Sequence, residues 1–278
     1  MILQAILVPY DVERQDTNSA RGPRELLARG FLDRLREAGR EVHQTVVSGP
    51  GEGASKAETV AGVGRGIARE VALARAQERF PLVLSGGCLS AVGTVTGLQR
   101  SGGQVGAVWI DAHGDFNTPE STTTGYWDGM SLAALCGRSL AEVCAEIGLR
   151  PLPVQDVIHL AGRDFDPPEL EAMRRLGLTA VPPDPMRGEP ALERLRRHAE
   201  GRRIYLHVDM DGLDPGDAPA VSFPVPGGPS LEDVLRCLAV LPAPAALTIS
   251  ALGFERVDGE EAARTFATCL RLVEALAP

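Results

Sequence analysis

A chain of 278 residues, 44% hydrophobic and 23% charged, can bury a substantial core and has the composition of a soluble globular protein. Its net charge of -9 excludes a bulk nucleic-acid or anionic-membrane binder, because phosphate affinity rests on a Lys/Arg surplus that this sequence lacks. Five scattered cysteines without CxxC spacing indicate neither a disulfide framework nor a zinc ribbon, and make a reducing, cytoplasmic setting the expectation.

The first apolar run, residues 2–9, follows no basic segment and is too short to span a bilayer, so it reads as a strand. A helix is predicted over 23–38, with Pro23 in the first turn, Leu26, Leu27, Phe31, Leu32 and Leu35 at helical spacing, and Gly39 as a stop. Strands at 41–47, 82–85, 105–110, 157–161, 178–181, 204–209 and 247–250 then alternate with helical patterns at 56–79, 89–100, 129–147, 168–176, 190–200, 230–240 and 260–276. Ser230 offers an N-cap to the helix after it, with Asp233 three residues on. This alternation predicts an α/β fold with a mostly parallel sheet covered by helices on both faces. No linker, repeat or low-complexity tract divides the chain, so residues 1–278 are expected to form one domain. The loops at 111–128 and 209–229 are long and rich in Gly, Pro, Thr and Asp, and in open parallel sheets such loops at strand carboxyl ends bind ligands.

Two of those strand ends carry unusual chemistry. "VWIDAHGDFNTP" runs an apolar strand into Asp111, His113 and Asp115, and "RIYLHVDMDGLDP" ends another in Asp209, Asp211 and Asp214. So many carboxylates in one partly buried crevice would cost several kcal/mol per uncompensated charge, so cations are expected between them. Oxygen-rich donors with one imidazole suit two divalent ions such as Mn(II), Mg(II) or Fe(II) better than structural zinc. Either cluster alone could be a helix cap or a turn; two on strand ends favour a shared metal site.

"DAHGDFNTP" and "DMDGLDP", with "SGGCLSAVGTVTG" upstream and "PGG" downstream, resemble the arginase or ureohydrolase family, in order from "GPRELL" to Glu255. The resemblance implies a three-layer αβα sandwich around an eight-stranded, mostly parallel sheet. It also implies two Mn(II) ions per chain, hydrolysis of a guanidino group by a hydroxide bridging them, and a homo-oligomer, trimer or hexamer. Carried over by motif, Asp111 and Asp209 should bridge the ions, Asp115 should complete one, and His113 with Asp211 the other. Asp214, before Pro215, is expected to form a turn or to help handle the proton on the departing amine. Asn117 and Thr124, with Thr122 nearby, match carboxylate-binding positions. Asp166 and Glu169 match the acids that meet the α-ammonium, and Glu255 the acid that grips the guanidinium.

The sequence departs from the family pattern twice. Cys88 stands where the family's remaining metal-binding His is usual, as in relatives resembling N-omega-hydroxy-L-arginine amidinohydrolases, and Gly87 stands at the family's Asp. Cys88 is either a buried hydrophobe or, as favoured here, a thiolate ligand that adds one negative charge relative to imidazole. Asp128 stands at the position of a proton-shuttling His; it could relay a proton or cap the helix that follows it. His43, His159, His198 and His207 are read as satisfied structural histidines.

The expected function is hydrolysis of the guanidino group of an arginine-like amino acid, arginine or N-omega-hydroxy-L-arginine. The alternatives are a ureohydrolase acting on agmatine, guanidinobutyrate or formimidoylglutamate, and a non-catalytic amino-acid-binding relative. A small guanidino molecule is the expected partner, with neither nucleic acid nor membrane.

Overall fold

Eight strands form one sheet in the computed structural model, which describes residues 2–51 and 53–276. They are β1 (Ile2–Val8), β2 (Glu41–Val46), β3 (Phe80–Ser85), β4 (Val105–Ile110), β5 (Val157–Leu160), β6 (Thr179–Val181), β7 (Arg203–Asp209) and β8 (Ala246–Ser250). Their order is β2-β1-β3-β8-β7-β4-β5-β6, and every neighbouring pair is parallel. The inner strands β3, β4 and β8 are buried along their whole length, which is why they read as continuous apolar runs.

Successive side chains of a strand feed different cores. Leu3, Ala5 and Leu7 of β1 join Leu82, Leu84, Leu206, Val208, Leu247 and Ile249 in one cluster. That cluster packs under helices α1 (Gly22–Ala28), α2 (Phe31–Glu37), α8 (Glu189–Ala199), α9 (Leu231–Leu238) and α10 (Gly259–Leu276). Ile6, Val8, Val83, Ala107, Trp109 and Tyr205 face the other way, under α3 (Lys56–Ala76), α4 (Ser90–Arg100), α5 (Ser131–Leu135), α6 (Ala141–Ile147) and α7 (Pro167–Leu176). The result is the expected three-layer sandwich.

Two predicted helices are each divided. The pattern over 23–38 is α1 and α2, separated at Gly30, whose φ of +81° is left-handed and ends the first helix. The pattern over 129–147 is a 3-10 turn, α5 and α6, interrupted at Gly137 and Leu140, both at positive φ. Apolar periodicity persists across both breaks because the separated helices still cover the same core. Gly39 does act as a stop: its N–H bonds Arg36 O and the Arg40 N–H bonds Leu35 O. Pro23 lies in the first turn of α1, and Ser230 and Asp233 cap α9 reciprocally.

The strand order reverses around the β3-β8-β7-β4 centre, so four adjacent strands point their carboxyl ends into one crevice.

Candidate metal centre

Cys88 enters this crevice after β3, Asp111 after β4, and Asp209 as the last residue of β7. Ligand atoms of Cys88, Asp111 and Asp209 lie within 4.8 Å of one another, and so do those of Asp111, His113 and Asp211. Asp111 is thus common to two triads, as a bridging carboxylate must be. Asp209 belongs to the first triad. Asp115 belongs to neither, but it lines the same cavity, and its buried Oδ2 has no hydrogen-bond partner.

The carboxylates of Asp111, Asp209 and Asp211 are aimed by protein donors. Asp111 accepts from the His113 N–H at 2.7 Å and from Trp109 Nε1 at 3.0 Å. Asp209 Oδ1 accepts from the Asp211 N–H at 2.9 Å, while its Oδ2 lies 3.0 Å from Cys88 Sγ. Asp211 Oδ1 accepts from the Ala112 N–H at 3.3 Å and its Oδ2 is 3.3 Å from His113 Nδ1. His113 Nδ1 is also 3.5 Å from Asp111 Oδ1. His159 fixes the loop, its Nε2 2.6 Å from the His113 carbonyl. Asp115 sits at a φ of +49°, a strained conformation that places its carboxylate in the cavity while its carbonyl accepts from Leu132 and Ala133 at the start of α5.

Electrostatics state what the cluster needs. Burial, reinforced by the neighbouring acids, pushes Asp115 and Asp209 well above the usual carboxylate range and raises Asp211. Burial and then Asp209 and Asp128 push the Cys88 thiol up. Burial opposes charging His113, but Asp111 and Asp211 outweigh it and lift the imidazole to about 12. Protein groups by themselves therefore hold protons in this cluster, and divalent cations are the partners that would let thiolate, carboxylates and neutral imidazole coexist. The donor set and the orphaned Asp115 oxygen fit such ions.

Asp128 does not cap the helix that follows it in sequence. Its Oδ2 accepts from the Cys88 N–H at 3.0 Å and its Oδ1 from the Leu89 N–H at 2.9 Å, so it caps the start of α4 and not the helix that follows it in sequence. A Cβ on Gly87 would stand 2.7 Å from Asp128 Oδ1. The carboxylate at 128 therefore fits only because residue 87 has no side chain. Burial raises Asp128 to about 7.

The cavity above the cluster has a volume of about 220 Å³ and brings together Asn117, Thr122, Thr124, Asp128, Asp166 and Glu169 with the six metal-ligand candidates. Asn117 Nδ2 donates to Asp166 Oδ2 at 2.9 Å. Glu169 is committed to the backbone, accepting from the Phe116 N–H at 3.0 Å and the Asp166 N–H at 2.9 Å, so it shapes the rim and caps α7 while Asp166 faces the cavity.

Two expected residues are not brought in. Asp214 accepts from the Gly216 N–H at 2.8 Å, and its carbonyl accepts from Asp217 and Ala218: it forms a turn outside the cavity lining. Glu255 lies exposed on a 3-10 turn, 3.7 Å from the Arg256 guanidinium, and does not line the cavity. Nor are all the histidines satisfied, since His159 Nδ1 and His198 Nε2 are buried without partners.

Several organising residues carry no signal in the sequence. Tyr126 and Phe223 line the cavity with their rings 6.4 Å apart, and the Tyr126 hydroxyl is hydrogen-bonded to buried Asp11 from the small hairpin after β1. The Arg163 guanidinium donates to the carbonyls of Ala161, Asp211, Gly212, Leu213 and Val225 at 2.7–3.1 Å, tying the loop after β7 to the loop after β5.

A sequence model described as "Arginase family" matches residues 3–253. The chain belongs to the arginase family. An N(omega)-hydroxy-L-arginine amidinohydrolase of Streptomyces lavendulae is 31% identical over 186 residues, 67% of this chain and 60% of that relative. The chain thus spans under two thirds of that relative's length. An arginase of Brucella melitensis is 33% identical over 241 residues, 79% of this chain and 78% of its own. The crystal structure of arginase from Bacillus subtilis superposes with a TM-score of 0.84 at 25% identity, covering 99% of this chain and 98% of that one. Arginase-family membership agrees with the motif order from "GPRELL" through "DMDGLDP" and "PGG", all within the matched residues.

Proposed function

We propose that this arginase-family chain is a metal-dependent hydrolase that cleaves a guanidino C–N bond of an arginine-like amino acid, arginine or its N-omega-hydroxy form. The observation that carries the reading is one cavity in which Cys88, Asp111, His113, Asp115, Asp209 and Asp211 converge beneath Asn117, Thr122, Thr124 and Asp166. Among its lining residues acids predominate, and none is Lys or Arg, which favours a cationic substrate.

Asp111, Asp209, Asp115 and Cys88 would hold one ion, and Asp111, Asp209, His113 and Asp211 the other, with Mn(II) the expected metal. Two divalent ions, when bound, supply a water ionised near neutral pH and Lewis acidity toward the guanidinium. The chain's own groups do the rest by positioning. Asp166, steadied by Asn117, attracts an α-ammonium, and the paired hydroxyls of Thr122 and Thr124, 3.4 Å apart, leave one proton to donate to a carboxylate. Asp128 holds the backbone at Cys88 and Leu89, which makes it a positioning residue. Addition of water and cleavage of the bond between the guanidino carbon and the chain nitrogen yield an amine with urea from arginine, or with hydroxyurea from the hydroxylated substrate.

The test is release of urea or hydroxyurea from arginine, N-omega-hydroxyarginine, agmatine and guanidinobutyrate by Mn(II)-loaded protein. Turnover highest with the first two and abolished by chelation is the expected result. A fully metallated sample that cleaves none of the four would sink the proposal, and preference for agmatine would move the substrate to one without a carboxylate.

A further inference from the structure

A chain of buried polar groups runs from Cys88 into the sheet. Cys88 Sγ is 3.4 Å from Ser250 Oγ, which is 3.2 Å from His207 Nε2, and His207 Nδ1 is 2.9 Å from the Tyr205 hydroxyl. Tyr205 in turn lies 2.9 Å from Thr248 Oγ1. All four residues behind the sulfur are fully excluded from solvent, and none lines the cavity. Strand register creates the line: His207 of β7 stands opposite Thr248 of β8, and Asp209 opposite Ser250. On the other side, Trp109 stands opposite His207 and stacks on it at 3.8 Å and 12°, while donating to Asp111. The stack holds the plane of the imidazole, and the bonds at its two nitrogens hold its edges.

A ligating histidine is oriented by its second ring nitrogen, which donates to a protein acceptor. A cysteine has no such second donor. Its sulfur, bound to a divalent ion as thiolate, has no proton to give and can be steadied only by donors aimed at it. We propose that Ser250 and His207 are positioning residues for Cys88, the Ser250 hydroxyl donating to the ligating sulfur and His207 fixing the direction of that hydroxyl. The inference rests on Cys88 being a metal ligand as read above. Proton counting then gives the whole line one sense. Ser250 has a single proton, so if it points to sulfur, Ser250 accepts from His207 Nε2–H and His207 Nδ1 accepts from Tyr205, whose hydroxyl donates to Thr248 Oγ1 in this structure and has to turn to the imidazole when the thiolate forms. With a thiol at Cys88, the S–H donates to Asp209 and Tyr205 donates to Thr248, which leaves a neutral His207 to donate from Nδ1 to Tyr205 and to accept at Nε2 from Ser250.

Cobalt(II) substitution tests this without relying on turnover. The wild-type protein should show a near-ultraviolet thiolate-to-cobalt charge-transfer band. Ser250→Ala should move that band to lower energy, because sulfur lone pairs rise when a hydrogen bond is removed, and should weaken Co(II) about 10- to 100-fold in chelator competition. His207→Gln should change both in the same direction. In a Cys88→His background, Ser250→Ala should alter affinity by less than about twofold, since the sulfur it serves is gone. An unchanged band and affinity in Ser250→Ala, or an equal loss in the Cys88→His background, would overturn the inference. So would a cobalt-loaded wild type without any thiolate band, an outcome that leaves guanidine hydrolysis by the Mn(II) protein as a separate question.

Discussion

Gly87 and Asp128 form a pair that neither residue explains alone. A side chain at 87 and a carboxylate at 128 compete for one volume, and that carboxylate holds the two N–H groups that set the path of the chain at Cys88. Gly87→Ala should therefore displace Asp128, lower bound metal below the wild-type stoichiometry and reduce turnover at least about 10-fold, the scale of losing support behind a metal ligand. Elemental analysis beside an activity assay would check it; full metal content and activity in the variant would contradict the pairing. Cys88 was legible as a metal-ligand candidate through the family resemblance, because the motif around it sets it at the position of the family's usual metal-binding His. The role of Asp128 was not legible, because its partners lie 39 and 40 residues away and are backbone groups without a sequence signature.

Between elements, the loops after the strands decide where the ligands point. Arg163 ties the loop carrying Asp211 to the loop after β5 through carbonyl oxygens only, and its planar fork reaches several of them at once. Lysine keeps the charge but loses the fork. Arg163→Lys should cost about 2–3 kcal/mol in denaturant unfolding, the worth of one or two charged hydrogen bonds, with m unchanged. An unfolding midpoint equal to wild type would show that the carbonyls find other donors. The strands were legible because buried parallel strands are apolar throughout, whereas the divisions of the predicted helices at Gly30 and Gly137 were hidden by apolar spacing that continues across them. Glu255 illustrates the converse: its place after the last strand matches the family pattern, yet the 3-10 turn at Phe254–Arg256 turns its side chain outward toward Arg256.

For the molecule as a whole, stability should carry the imprint of His198, a buried residue of α8 packed against β4 and outside the cavity lining. Burial, then the neighbouring Arg202, lowers its pKa to about 4, so the folded protein keeps it neutral where the unfolded chain would protonate it. The unfolded pKa is near 6.5, so the stability this residue contributes is complete above pH 6.5 and is lost progressively as pH falls toward about 4. His198→Gln should flatten that part of the profile of Tm against pH, measured with excess Mn(II) to hold the centre constant. An identical profile in the variant would remove His198 from the account.

The sequence by itself determined the alternation of strands and helices, the α/β class and the two acid-rich strand ends, because strand burial and strand-end ligands are written in contiguous residues. Tertiary structure alone decided which strands adjoin, that Cys88 meets Asp209 and Ser250 across more than a hundred residues, and that Asp214 and Glu255 stay out of the cavity. The reason is physical: a motif fixes what a residue can bind, but the direction of its side chain is set by hydrogen bonds and backbone turns supplied by distant parts of the chain.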